Sequence, residues 1–134
     1  MQVTTEVNGD VALITMDDGK KNAITPEVYA DLNAAFDRAE SEAKAVVLAG
    51  REGAFCAGFD LATMTSGDVE AILEIARGGA EFALRLWSFP KPLVTACTGH
   101  AFTIGAIWLS CGDTRIGDRG PFKIGMNETR MGMT

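Results

Sequence analysis

Two short strings in this chain combine small residues with a place where backbone amides can do chemistry. Gly53-Ala-Phe-Cys-Ala-Gly-Phe-Asp-Leu61 follows the apolar run Lys44-Ala-Val-Val-Leu-Ala49 and an Arg51-Glu52-Gly53 turn. Thr98-Gly-His-Ala-Phe-Thr-Ile-Gly-Ala106 follows the strand-like run Leu93-Val-Thr-Ala-Cys97. Each sits where a strand gives way to a helix, a geometry that leaves N–H groups unpaired and aimed at open space. Fixed amide dipoles stabilise developing negative charge without reorganising. The amides near Ile104 and Gly105 also fall at a helix start, which favours negative charge. Two such turns on neighbouring strands can hold one oxygen between two donors. Either string taken alone serves as well as a plain turn, or as tight helix packing through Gly99 and Gly105.

Other candidate chemistries find less support. His100 is the only histidine, and no Gly-x-Ser-x-Gly elbow accompanies it, which argues against a Ser/His hydrolase and for a pocket-lining or structural role. Cys56, Cys97 and Cys111 are odd in number and never spaced Cys-x-x-Cys, a pattern of reduced core thiols in a cytoplasmic protein. Asp17, Asp18 and Asp113 lack partners at metal-ligand spacing, so no metal is expected. Gly50-Arg-Glu-Gly53 is not followed by the Gly-Lys-Ser/Thr of a phosphate loop.

The elements that must position the two strings follow from local pattern. Val3–Val7 and Val11–Met16 flank Asn8-Gly9-Asp10, a hairpin signal. Thr25-Pro26-Glu27 opens a helix with Thr as N-cap and Pro at the first helical position. Val28, Leu32, Ala35, Phe36 and Ala39 give that helix an apolar face to about Ser41. The run 45–49 predicts a strand buried on both faces. Residues 60–64 predict a short helical turn. Ser66-Gly67-Asp68 caps a longer helix over 69–88, with Val69, Ile72, Leu73, Ala76, Ala80, Ala83, Leu84 and Trp87 as apolar positions, ended by Phe89-Pro-Lys-Pro92. Strands 93–97, 114–116 and 122–124 and a helix to about Cys111 complete the set. The strand–loop–helix unit recurs, which suggests stacked turns of a spiral.

The chain has 134 residues, 47% hydrophobic and 22% charged, with net charge -6. That is one domain with a sizeable core. The acidic balance argues against nucleic acid and anionic membrane surfaces. No apolar run approaches a membrane span, and no secretory signal opens the chain.

Ala54-Phe-Cys-Ala-Gly-Phe-Asp-Leu61, Lys91-Pro92 before a strand, Gly99-x-Ala101 with Gly105, and Cys111-Gly-Asp113 together resemble the crotonase (enoyl-CoA hydratase/isomerase) superfamily, over essentially the whole chain from Asn22-Ala23 to Gly132. The resemblance implies an α/β fold, a crotonase-like spiral of stacked ββα units, with residues 1–134 forming its core domain and the C-terminal part absent. It implies an acyl-CoA thioester as ligand, with coenzyme A part of the substrate and no separate cofactor. By position the oxyanion donors are the backbone amides of Ala57 and Ile104; the family usually has glycine where Ile104 stands. Lys21, Ala23, Cys56, Asp60, Leu61 and Gly105 are the implied substrate and coenzyme A contacts, Lys21 through the phosphates and the others mainly through backbone.

The hydratases of the family use two glutamates. Here the first position is Ile107 and the second is Glu128, the implied catalytic residue. The string Lys123-Ile-Gly-Met-Asn-Glu-Thr-Arg-Met-Gly132 looks closest to the branch that shifts a 3-enoyl-CoA double bond to 2-enoyl-CoA. Met126, Met131, Ile107 and Trp108 are expected to surround Glu128 with apolar groups. The alternatives are a hydratase or acyl-CoA hydrolase of the same fold, or a truncated binding or assembly module without catalysis. The resemblance further implies helices beyond Thr134 that close the pocket and build homo-oligomers, trimers that pair into hexamers.

Overall fold

Two parallel ladders, one large and one small, set the architecture in the computed structural model, which describes residues 3–132. β1 (Val3–Asn8) and β2 (Val11–Met16) form the expected hairpin, with Gly9 at φ 61° in its turn. β2 continues in parallel to β4 (Ala45–Ala49), then β7 (Leu93–Cys97), then β9 (Thr114–Gly117), which completes a five-stranded sheet. Ala12, Ile14, Val46, Leu48, Leu93 and Thr95 line one face of it and are almost fully buried. Ala45 and Val47 on the other face of β4 are half-buried, so that strand is covered less evenly than its apolar run predicts.

The smaller ladder was not legible as strands. β5 (Gly53–Cys56), β8 (Gly99–Phe102) and β10 (Ile124–Gly125) pair in parallel in the order β10-β8-β5. The stretches expected to be loops or turns at 53–61 and 99–105 therefore begin as strands. β10 itself lies two residues later than its apolar run suggested. A second minor pair joins β3 (Ala23–Ile24) to β6 (Gly58–Phe59). Gly and Ala are poor β-formers, and these strands exist because partners distant in sequence supply the hydrogen bonds.

With both ladders in view the repeat is plain. Each turn of the chain lays one strand in the large sheet, one in the small sheet, and then a helix. β4 and β5 lead to α2 (Leu61–Met64) and α3 (Val69–Trp87); β7 and β8 lead to α4 (Ile104–Ser110); β9 and β10 lead to a single 3₁₀ turn at Thr129–Met131. This is the expected spiral of ββα units.

α1 (Pro26–Glu42) forms as its pattern predicts, with Val28, Leu32, Ala35, Phe36 and Ala39 buried and Tyr29 added to them. Thr25 occupies the N-cap position, but its hydroxyl donates to Glu27 Oε2 at 2.7 Å and does not cap the helix. α3 overturns its predicted face. The residues it buries are Ile75, Gly79, Phe82 and Leu86, while Val69, Leu73, Leu84 and Trp87 are 57–75% exposed. The helix carries two apolar stripes, and the narrower one meets the aromatic core. There Phe36 packs edge-on against Phe82 and Phe89, and Phe82 and Tyr29 against Trp108. Such pairs contribute about 0.5–1.5 kcal/mol each beyond their burial. Trp108 also donates from Nε1 to Gly79 O at 3.0 Å, which ties α4 to α3.

Candidate functional site

Three adjacent parallel strands end at one edge of the small sheet, and each runs into a segment of chemical interest. β5 leads into Ala57–Asp60, β8 into Thr103–Gly105, and β10 into Met126–Glu128. In open α/β sheets the carboxyl ends of parallel strands are where ligands bind, because the loops there converge on a common crevice. The middle segment is tied to the third by Thr103 N–H, which donates to Gly125 O at 3.1 Å.

The first two turns are in intimate contact. A Cβ on Gly105 would stand 2.6 Å from Cys56 Cβ and 2.8 Å from Cys56 O and Sγ, so only glycine admits this approach. Gly58 is held at φ 96°, and a Cβ there would lie 2.1 Å from Thr103 Oγ1. The amides of Ile104 and Gly105, the first two of α4, donate to no acceptor among the described residues, as expected where a helix begins.

The Ala57 amide departs from expectation. A plain strand-to-helix turn predicts it unpaired, but it donates to Lys21 O at 3.0 Å and to Asn22 O at 3.3 Å. Two acceptors on one hydrogen make a shared and weaker bond, yet the donor is occupied. The reason is Asn22, a buried residue that the sequence reading passed over. Its Nδ2 donates to Met16 O, Ala54 O and Phe55 O at 2.9–3.2 Å, and its Oδ1 accepts from Asp18 N at 3.0 Å. This stitches the loop after β2 onto the end of β5. Asn is among the few residues that tolerate its φ of 56°. Asp18 supports the same loop, accepting from Lys20 N and Ala23 N. Burial alone pushes its carboxyl up, but these and the Asn22 amide, with the Arg51 charge, outweigh it and hold the group below its usual range.

The implied coenzyme A contacts fall into two sets. Ala23 on β3 lies opposite Gly58 on β6, so Ala23, Cys56 and the Ala57 turn are neighbours. Cys56 is fully buried with its sulfur against Gly58 N and Gly105, and burial pushes its thiol up to about 12. Neither its side chain nor its backbone reaches solvent in this structure. Asp60 N-caps α2, its Oδ2 accepting from Thr63 N and Oγ1. Leu61 and Lys21 project to solvent.

Glu128 is half-buried at the start of the 3₁₀ turn, and its carboxylate joins none of the ion pairs among the described residues. Most of the apolar groups expected around it are open to solvent in this structure. Met126 is 59% exposed, Met131 46% and Ile107 39%, and Trp108 is turned into the core. His100 is structural: its Nδ1 accepts from Lys123 N at 3.0 Å and its ring stacks on Phe102. An open groove of about 520 Å³ between the start of α1 and the charged face of α3, lined by Pro26, Tyr29, Glu70, Leu73, Arg77 and Glu81 among others, shares no residue with the three turns.

Thr103 was also missed. It is a β-branched residue at φ 51°, ψ -122°, a conformation that costs about 1–3 kcal/mol and persists mainly at functional sites. Nothing in a single sequence announces such a dihedral. No helix among the described residues is long and apolar enough to cross a membrane.

Comparison with known proteins points the same way as the geometry. The family profile described as enoyl-CoA hydratase/isomerase matches residues 6–134. Two structures of one Mycobacterium tuberculosis protein resemble the chain closely. One is named probable enoyl-CoA hydratase ECHA3, 45% identical with a TM-score of 0.96 over 100% of this chain. The other is named an enoyl-CoA isomerase, 44% identical with a TM-score of 0.93 over 99% of this chain. An enoyl-CoA hydratase/isomerase family protein from Pseudomonas syringae is 41% identical with a TM-score of 0.95 over 99% of this chain. Each of these is covered to 57% of its own length. Among curated relatives, a probable enoyl-CoA hydratase of Bacillus subtilis is 27% identical over 98% of this chain and 52% of its own length. The chain thus spans about half the length of such relatives.

Proposed function

From the membership of this chain in the enoyl-CoA hydratase/isomerase family, we propose that the protein containing it shifts the double bond of a 3-enoyl-CoA to the 2-position. The observation that carries the choice of isomerase over hydratase is Ile107. It stands on α4, where the resemblance puts the first glutamate of a hydratase, and it cannot move a proton. One carboxylate suffices for isomerisation, since the same group removes a proton from C2 and returns it at C4. Glu128, three residues beyond β10, whose Gly125 is bonded to Thr103, is that base.

The dienolate oxygen is held by the amides of Ile104 and Ala57. Ile104 N–H is ready for it. Ala57 N–H must first leave the carbonyls of Lys21 and Asn22, so substrate binding displaces that loop or the turn itself. Each donor is worth about 3–4 kcal/mol of barrier. Coenzyme A enters as part of the substrate, its pantetheine and adenine along Ala23 and the Ala54–Leu61 loop and its phosphates near Lys21. The free thiols Cys56, Cys97 and Cys111 suit a cytoplasmic setting. The working unit is a homo-oligomer.

The test is Glu128→Gln in the full-length protein. Conversion of a 3-enoyl-CoA to its conjugated isomer should fall by about 10²–10⁴-fold, with acyl-CoA affinity nearly unchanged. Turnover near the starting level would place the base elsewhere. Hydration of a 2-enoyl-CoA faster than isomerisation in the unaltered protein would favour the hydratase.

A further inference from the structure

Thr103 carries two unrelieved costs at the centre of the site. Its backbone is in a conformation that L side chains rarely adopt. Its hydroxyl is buried, with no hydrogen-bond partner among the described residues. The hydroxyl had an obvious use, because Thr103 is the N-cap of α4, but it makes no capping bond. A buried donor left unmade is expensive, and native proteins seldom keep one without a reason. Building on the acyl-CoA reading above, we propose that the Thr103 hydroxyl is a further substrate-contacting group, which donates to the thioester carbonyl oxygen beside the Ile104 amide.

The surroundings say how the contact is made. Thr103 itself is fixed. Its N–H donates to Gly125 O, and its carbonyl accepts from Ala106 N and Ile107 N at 3.0–3.2 Å. What covers the hydroxyl is Gly58, from the opposite turn. That side must move for the hydroxyl to be reached, and the Gly58–Ala23 strand pairing must give way with it. Gly58 sits at φ 96°, and the α2 helix that follows shortly after it buries no residue. Parting the two turns uncovers Thr103 Oγ1. Because Ala57 adjoins Gly58, the same displacement draws the Ala57 amide off the Lys21 and Asn22 carbonyls. An arriving carbonyl oxygen thus meets a donor released from each side, and the hydroxyl gains the partner it lacks in the closed arrangement.

The experiment measures thermal unfolding and calorimetric binding on the full-length protein. Two probes are titrated: a saturated acyl-CoA thioester, and the S-alkyl-CoA thioether of the same chain length, which lacks the carbonyl. Thr103→Val removes the hydroxyl at nearly constant shape. It should raise Tm, because an unpaired buried polar group is gone, and weaken thioester binding by about tenfold while leaving the thioether unchanged. Thr103→Ala, measured alongside, should show the same selective loss, and Thr103→Ser should restore binding. Unchanged thioester binding in Thr103→Val would mean the hydroxyl is idle and overturn the proposal. Equal weakening of both probes with a lower Tm would assign Thr103 a purely structural role and overturn it too. Unaltered protein that binds neither probe would instead sink the acyl-CoA reading itself.

Discussion

Asn22 joins the loop after β2 to the end of β5, and its removal can be costed from the contacts it makes. Nδ2 has two hydrogens for three carbonyls, Met16 O, Ala54 O and Phe55 O, so the three contacts amount to about two hydrogen bonds, one of them shared. Oδ1 adds a part-buried bond from Asp18 N. At about 1 kcal/mol per bond, with a further penalty for buried carbonyls left unpaired, Asn22→Ala loses about 3–4 kcal/mol. Alanine at φ 56° adds about 1 kcal/mol of backbone strain. The expected total is therefore about 4–5 kcal/mol, enough to unfold a marginal domain. Asn22→Gly escapes the strain and should recover about 1 kcal/mol. Urea unfolding of the three proteins, with stabilities extrapolated to water, reads both differences. The carbonyl of residue 22 should also shift, so acyl-CoA affinity changes in whatever fraction stays folded. A loss under about 1 kcal/mol for Asn22→Ala would refute the reasoning, as would glycine proving worse than alanine.

The two stripes of α3 make a paired test. Phe82→Ala should cost about 3–5 kcal/mol from the aromatic core, whereas Trp87→Ala, 75% exposed, should change the stability of this chain by under about 0.5 kcal/mol; equal losses would mean the wrong stripe has been placed inside. Among the thiols, Cys56, pushed up to about 12 by burial, should resist alkylation in the folded protein at pH 8, while the partly exposed Cys111 reacts first. Mass mapping that finds Cys56 modified as fast as Cys111 would show the two turns are not packed together. The Asp18 carboxyl is depressed on folding, so its contribution is complete above its ordinary value of 3.8 and lost as pH falls through the lower, folded value. Asp18→Asn should then flatten the acid limb of a Tm-against-pH curve below about pH 4; a parallel curve would mean that the loop's amides do not stabilise the carboxylate.

Local chemistry made much of this protein readable in advance. The β1–β2 hairpin follows from Asn8-Gly9, the start of α1 from Thr25-Pro26, and the core strands from unbroken apolar runs, because each signal lies within a few residues of its effect. The placement of two small-residue turns side by side was legible for the same reason, since equivalent strings follow equivalent strands. Non-local contacts account for what was misread. β5 and β8 are strands because they pair with each other across 46 residues of sequence, Gly53 opposite Gly99, not because Gly and Ala favour extended chain. α3 has two stripes of similar apolarity, and periodicity cannot choose between them; Trp108 and Phe36 choose, by packing against Phe82. The Ala57 amide looked free as part of a turn, and it is occupied because Asn22 draws a loop from 35 residues earlier onto it. In sequence Thr103 is one residue of the Thr98–Ala106 string, with nothing to mark it. Its positive φ and stranded hydroxyl arise only where the turns after β5 and β8 press together, since strain of that kind belongs to the contact between two segments and to neither segment alone.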